Sequence, residues 1–139
     1  MLGVGALIFR GGRILLVERA GDPLKGYWSL PGGVLEIGET LQEGIRREVL
    51  EETGLHVAPT EVAEVFERIM RDARGRVEYH YVLVDFVCRR RSGRLQPGGD
   101  VSRVKWVRLE DLGCYRLTEG TLDVINRTYA KLQRRATRI

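Results

Sequence analysis

The sequence predicts an α/β fold in which a mixed β-sheet carries packed helices. Two observations predict it. Runs of β-prone residues come first, then one strongly patterned helix, then more strands and a second helix, an order that suits helices laid on a sheet rather than separate all-α or all-β units. The length of 139 residues suits a single domain spanning 1–139 with one core, since two domains would each bury too little surface.

Taken in order, Leu2–Arg10 reads as a strand, Gly11-Gly12 as a two-residue hairpin turn, and Arg13–Glu18 as the returning strand. Ala20–Tyr27 contains Gly21, Asp22, Pro23 and Gly26 and reads as a loop. Trp28-Ser29-Leu30 is a short extended piece, and Pro31-Gly32-Gly33 is expected to break any regular element. Thr40–Thr53 is the best helix. Leu41, Ile45 and Val49 recur at a spacing of four, Thr40 and Glu43 form a capping-box pattern, and Gly54 stands where a left-handed residue ends a helix. His56–Val57 leads through Pro59 to a strand over Glu61–Arg71. Asp72–Gly75 is a turn, Arg76–Arg90 a long strand, Arg91–Gly99 a loop and Val101–Leu109 a last strand. Thr118–Arg135 is a second helix with Leu122, Ile125, Tyr129 and Leu132 on its apolar stripe. Its basic end, with Lys131, Arg134, Arg135 and Arg138, reads as solvated and favourably placed for the helix dipole.

Composition excludes several classes. With 43% apolar and 30% charged residues the chain is not disordered. No apolar run approaches the roughly 18–20 residues of a membrane span, and Met1–Phe9 lacks the leading positive charge of a secretory signal. Cys88 and Cys114 are too few and too far apart for a zinc knuckle or redox pair and read as reduced thiols of a cytoplasmic protein. The net charge of +4 is uneven. Between Glu36 and Glu52, six glutamates against two arginines give −4, leaving +8 elsewhere. An acidic cluster in a basic chain suggests a cation surrounded by groups that attract an anion. A nucleic-acid-binding protein would also suit the basic remainder and predicts steep salt dependence. No basic stripe interleaved with aromatics marks such a module, so no specific nucleic acid is expected.

The helix carries the chemistry. Glu48, Glu51 and Glu52 lie at i, i+3 and i+4 on one face. They repel one another and stand toward the end where the helix dipole disfavours anions. A bound divalent cation removes that conflict, and clustered carboxylate oxygens suit magnesium or manganese. Before the helix, Pro31-Gly32-Gly33 permits close approach of a ligand or metal. Arg47, between glutamates, can hold carboxylates through forked hydrogen bonds.

These residues resemble the signature of the Nudix hydrolases, G-x5-E-x7-R-E-U-x-E-E-x-G-U with U bulky and aliphatic. Here it is Gly33, Glu39, Arg47, Glu48, Val49, Glu51, Glu52, Gly54 and Leu55, with no departure. The lead-in Trp28–Gly33 and the later Val104–Val107 and Leu109–Leu112 are also similar to that family. The resemblance implies an α/β/α sandwich and magnesium- or manganese-dependent hydrolysis of a diphosphate bond in a nucleoside diphosphate derivative. It implies Glu48 and Glu52 as main metal ligands, the Gly32 carbonyl and Glu51 as further ones, and Glu39 and Arg47 as orienting groups. The general base varies within the family and is either a box glutamate (Glu51 and Glu52 are the candidates) or a later acidic residue. Asp100, in the glycine-rich loop, is that later candidate for base or extra ligand, against a solvated loop aspartate. Arg19 ends the second strand where it can reach a phosphate, weighed against a surface role. Trp28 and Tyr79 are candidate substrate contacts, weighed against core or rim positions. ADP-ribose or a related nucleotide sugar is the favoured small-molecule substrate. Nucleoside triphosphates and dinucleoside polyphosphates are the alternatives, and a non-catalytic nucleotide sensor is the alternative of another class. The family also suggests a homodimer.

Overall fold

The computed structural model describes residues 1–137; Arg138, assigned above to the basic helix end, lies outside them. The elements are β1 (Leu2–Leu7), β2 (Phe9–Arg10), β3 (Arg13–Arg19), β4 (Trp28–Ser29), β5 (Gly32–Val34), α1 (Leu41–Thr53), β6 (Leu55–Arg71), β7 (Val77–Gly93), β8 (Val101–Arg108), a 3-10 turn at Leu109–Cys114, and α2 (Thr121–Ala136). One sheet has the order β5-β1-β7-β6. Its β1–β7 pair is parallel and its other pairs are antiparallel, so it is mixed. In the second sheet β3 pairs antiparallel with β2, β4 and β8.

Strand alternation divides the apolar residues between two cores. Val4, Ala6 and Ile8 of the first segment, with Leu15, Val84 and Phe86, pack under Ile45 and Val49 of α1. Leu7, Ile14, Leu16 and Val107 face the other way and pack under Val124 and Ile125 of α2. The result is the expected α/β/α arrangement, with the β-layer split into two sheets.

Several expectations are corrected. Leu2–Arg10 is not one strand. The chain leaves the first sheet after Leu7 and joins the second at Phe9, with Ile8 buried at the crossing. Gly32 and Gly33 do not end regular structure; they pair with Gly5 and Val4 in β5. Pairing there needs glycine, because a Cβ on Gly32 would run into the Val4 carbonyl oxygen. Pro59 does not interrupt β6. It lies on the sheet edge, where a missing N–H costs no ladder bond, and pairing resumes after a bulge at Pro59/Glu61. The expected loop at Arg91–Gly99 begins later, since β7 runs to Gly93 opposite Leu55. Helix α2 starts after Gly120 and buries Thr121, Val124, Ile125 and Thr128, while Leu122 is exposed. The stripe can turn this way because the Thr118 and Thr121 hydroxyls bond each other at 2.6 Å inside the core. The start of α1 carries half of the expected capping box: Thr40 Oγ1 accepts the Glu43 amide at 3.1 Å. Gly54 closes α1 at φ 77°.

Candidate active site

The acidic face of α1 is graded in burial. The Glu52 side chain is 5% exposed, Glu48 12% and Glu51 53%. An enclosed carboxylate needs partners, and Glu52 has two. Its Oε1 accepts the Gly32 amide at 2.8 Å, and its Oε2 accepts Arg19 Nη1 at 2.5 Å. Arg19, at the end of β3, also donates to Ser29 Oγ at 2.9 Å and to the carbonyls of Leu30 and Gly32 at 3.1 and 3.4 Å. The surface role weighed for Arg19 is thereby corrected. Its guanidinium is turned inward because the buried carboxylate and three further acceptors lie there.

Arg47 organises the other end. Its guanidinium forks onto Glu39 at 2.6 and 2.9 Å, and donates to Glu48 at 2.9 Å, Glu51 at 3.3 Å and the Val34 carbonyl at 3.3 Å. The sequence separation of eight between Glu39 and Arg47 becomes contact because the turn before α1 folds back, with Glu39 also accepting the Glu36 amide. These bonds, the arginine's first, lower the Glu39 pKa to about 2. Glu48 and Glu52 shift upward. Burial is the main cause for both; Arg47 opposes it for Glu48, and Arg19 with the Gly32 amide opposes it for Glu52.

Gly33 lets Glu48 lie across β5. A Cβ there would stand 2.6 Å from the Glu48 carboxyl carbon. The segment leading to β8 is tied to the end of α1, with the Gln96 and Gly98 amides donating to the carbonyls of Thr53 and Glu52 at 2.8 and 3.3 Å. This brings exposed Asp100 beside the end of β3. Its carbonyl accepts the Ala20 amide at 3.1 Å, and its carboxylate lies against Gly21.

The structure therefore brings together Arg19, Gly32, Glu39, Arg47, Glu48, Glu51 and Glu52, with Asp100 nearby in the fold. Trp28 and Tyr79 are not part of that group. Trp28 is 6% exposed, edge-on to Tyr115 at 5.3 Å and covered by the Arg103 guanidinium at 5.1 Å, so a stacking platform is not open there. Tyr79 is exposed and stacked on Tyr81. It lies beyond the stretch of β7 that pairs with β1, about 20 Å along the strand from Asp85, which shares a row with Gly32. Sequence reading missed Ser29 as a partner of Arg19, and missed Asp85 altogether. The signal for Asp85 was present: one acid inside the apolar run Val82–Val87.

A divalent cation fits this donor set. Two carboxylates whose burial disfavours their charge stand together next to a backbone carbonyl, and all donors are hard oxygens. As they stand, arginines hold these carboxylates, and among the described residues no three acidic, histidine or cysteine side chains close on one point.

Residues 1–128 match the family model of the NUDIX domain. Over 111 residues the chain is 34% identical to an ADP-ribose pyrophosphatase of Methanocaldococcus jannaschii, covering 80% of this chain and 63% of that protein's length. Over 122 residues it is 34% identical to the nucleoside triphosphatase NudI of Escherichia coli, covering 83% of this chain and 86% of the relative. Among solved structures, the NUDIX domain of Shewanella oneidensis NrtR, complexed with ADP ribose, superposes with a TM-score of 0.76 at 28% identity, covering 95% of this chain and 88% of that one.

Proposed function

The chain belongs to the Nudix family, and from that premise we propose that it hydrolyses the diphosphate linkage of a nucleoside diphosphate derivative, with ADP-ribose or a related nucleotide sugar favoured. The observation that carries the reading is the enclosed pair Glu48 and Glu52, fixed from opposite sides by Arg47 and Arg19 beside the Gly32 carbonyl. Glu48 and Glu52 are the residues to hold magnesium or manganese, with the Gly32 carbonyl and Glu51 as further ligands. Such an ion neutralises diphosphate charge and acidifies a bound water. Glu39 and Arg47 keep the carboxylates in place, so that little reorganisation accompanies binding. Asp100, an exposed loop carboxylate beside the end of β3, is the later candidate for base or extra ligand, with the box glutamates Glu51 and Glu52 as the other candidates for base. The relative named for ADP-ribose and the neighbour complexed with it support the substrate choice.

A nucleoside triphosphate is the second reading, favoured by the match to NudI along most of both chains; dinucleoside polyphosphates stand behind it. A nucleotide sensor without turnover does not need the acidic box, which is intact here. The test is a phosphate-release screen over ADP-ribose, nucleoside triphosphates and dinucleoside polyphosphates with magnesium or manganese. Wild type turns over at least one class, and Glu52→Gln loses at least about 100-fold in rate, the scale seen when charge stabilisation is removed from an active site. Equal turnover by both proteins removes the assignment of the metal site.

A further inference from the structure

Asp85 stands in the middle of β7 and is 5% exposed. Its neighbours Val84 and Phe86 fill the core under α1, so Asp85 faces the opposite side of the sheet. Across the strands it belongs to one row: Gly32 on β5, Gly5 on β1, Asp85 on β7 and Glu64 on β6. Its Oδ1 occupies the place where a Cβ on Gly5 would be, and the Leu30 side chain flanks the same point, 3.8 Å from that Cβ position. The other side of this face is built by one ion pair and one hydrogen bond to backbone. Arg127 forks onto Glu64 at 2.9 and 3.2 Å, and Arg68 donates to the Glu119 carbonyl at 2.7 Å.

Unlike Glu52, which is equally buried, Asp85 makes no hydrogen bond or ion pair among the described residues. Every fully enclosed side-chain oxygen or nitrogen there does have a partner, so the Asp85 oxygens keep a narrow opening to solvent. Burial first, then Glu64, raise its pKa to about 6, with Arg68 opposing; the group is still ionised at neutral pH. A buried, ionised carboxylate with both oxygens free is an acceptor pair lacking donors. It stands two strand spacings, about 10 Å, from Gly32 in the plane of the sheet, the span of a nucleoside.

We propose that Asp85 sets substrate specificity: its two oxygens receive two adjacent hydrogen-bond donors on the part of the substrate beyond the diphosphate. That chemistry has two sources, the N1–H and N2–H edge of guanine or the vicinal hydroxyls of a ribose. A group offering one donor beside an acceptor, such as the adenine edge, leaves one oxygen facing a lone pair. The inference rests on the hydrolase reading for the position of the diphosphate.

Calorimetric binding with magnesium present tests it without relying on turnover. The ligands are GDP, IDP (which lacks the N2 amino group), ADP and 2′,3′-dideoxy-ADP. Wild type prefers GDP over IDP, or ADP over its dideoxy analogue, by roughly tenfold or more, the value of a hydrogen bond to a charged group. The first result identifies the base edge and the second the diol. In Asp85→Asn, which is isosteric, and in Asp85→Leu, which removes the polar group altogether, that preference shrinks to within about twofold. No preference in wild type, or the same preference in all three proteins, overturns the inference. Preference without hydrolysis in the phosphate-release screen overturns the hydrolase reading and leaves the role of Asp85 standing.

Discussion

Asp85 also makes a thermodynamic prediction that is independent of any substrate. Its pKa is raised from 3.8 to about 6 in the folded protein. The folded state therefore holds a proton at pH values where the unfolded chain has released it. Stability contributed by this site is greatest at low pH and is lost as pH rises from about 4 through about 6. A shift of about two units corresponds to a cost of about 3 kcal/mol at pH 7 and above, shrinking to about half of that at pH 5. Asp85→Asn removes the titration and keeps the shape. The informative quantity is the difference in unfolding free energy between variant and wild type, measured by urea denaturation from pH 5 to pH 8. Carboxylates that are not coupled to Asp85 titrate equally in both proteins and cancel, as does the fixed cost of burying an amide. The difference moves in favour of the variant by about 1–2 kcal/mol across that range. A difference that stays constant with pH would show that the carboxylate is ordinarily solvated, and the reasoning from burial would fail.

Other perturbations act on the acidic helix face. Gly33→Ala places a Cβ 2.6 Å from the Glu48 carboxyl carbon. The end of that side chain can swing away, so thermal stability stays within a few degrees while hydrolysis, measured at saturating metal, falls at least about tenfold; an unchanged rate refutes the placement of Glu48. Arg19→Met strands a carboxylate that is 5% exposed and costs about 3 kcal/mol in urea unfolding, as broken buried pairs do. A loss under about 1 kcal/mol, the value of a surface pair, would mean that Glu52 does not depend on Arg19. Asp100→Asn at saturating metal lowers kcat at least about 100-fold if the residue transfers the proton, and near-wild-type turnover removes it from the mechanism.

The parts of the fold that were legible in the sequence are those specified by local pattern. Helix α1 could be read because Leu41, Ile45 and Val49 repeat on one face and because Thr40 and Gly54 mark its ends. The partition of strands between two sheets could not. Leu7 and Ile8 are consecutive apolar residues, and each is buried, but in different cores. Binary patterning records only that both are inside. Likewise, Pro59 and the glycines at 32 and 33 read as breakers, because propensity does not say which strand is an edge or where two backbones must approach closely. The face of α2 was misread for a related reason. A pair of threonines that satisfy each other can be buried in place of a leucine, and that pairing exists only once the helix start is folded.

The candidate site shows the same division within one cluster. Glu39, Arg47, Glu48, Glu51 and Glu52 lie within fourteen residues of sequence, and Arg47 reaches Glu39, Glu48 and Glu51 by helical spacing and one short turn. That half of the electrostatics is local and therefore readable. The other half is not. Arg19 lies 33 residues from Glu52, and the two meet only because β3 ends beside the β4–β5 segment and α1 packs on the neighbouring sheet. Nothing in the run Leu15–Arg19 announces an inward guanidinium; a strand-terminal arginine is most simply a solvated one. What requires Arg19 is Glu52, since a carboxylate buried to that extent needs a cationic partner or loses its charge. The two arginines therefore do separate physical work. Arg47 fixes the partly exposed members of the cluster through its fork, whereas Arg19 opposes the upward shift that burial imposes on the innermost carboxylate. Substitution at Arg19 should then change the protonation of Glu52, and substitution at Arg47 the orientation of Glu39 and Glu48.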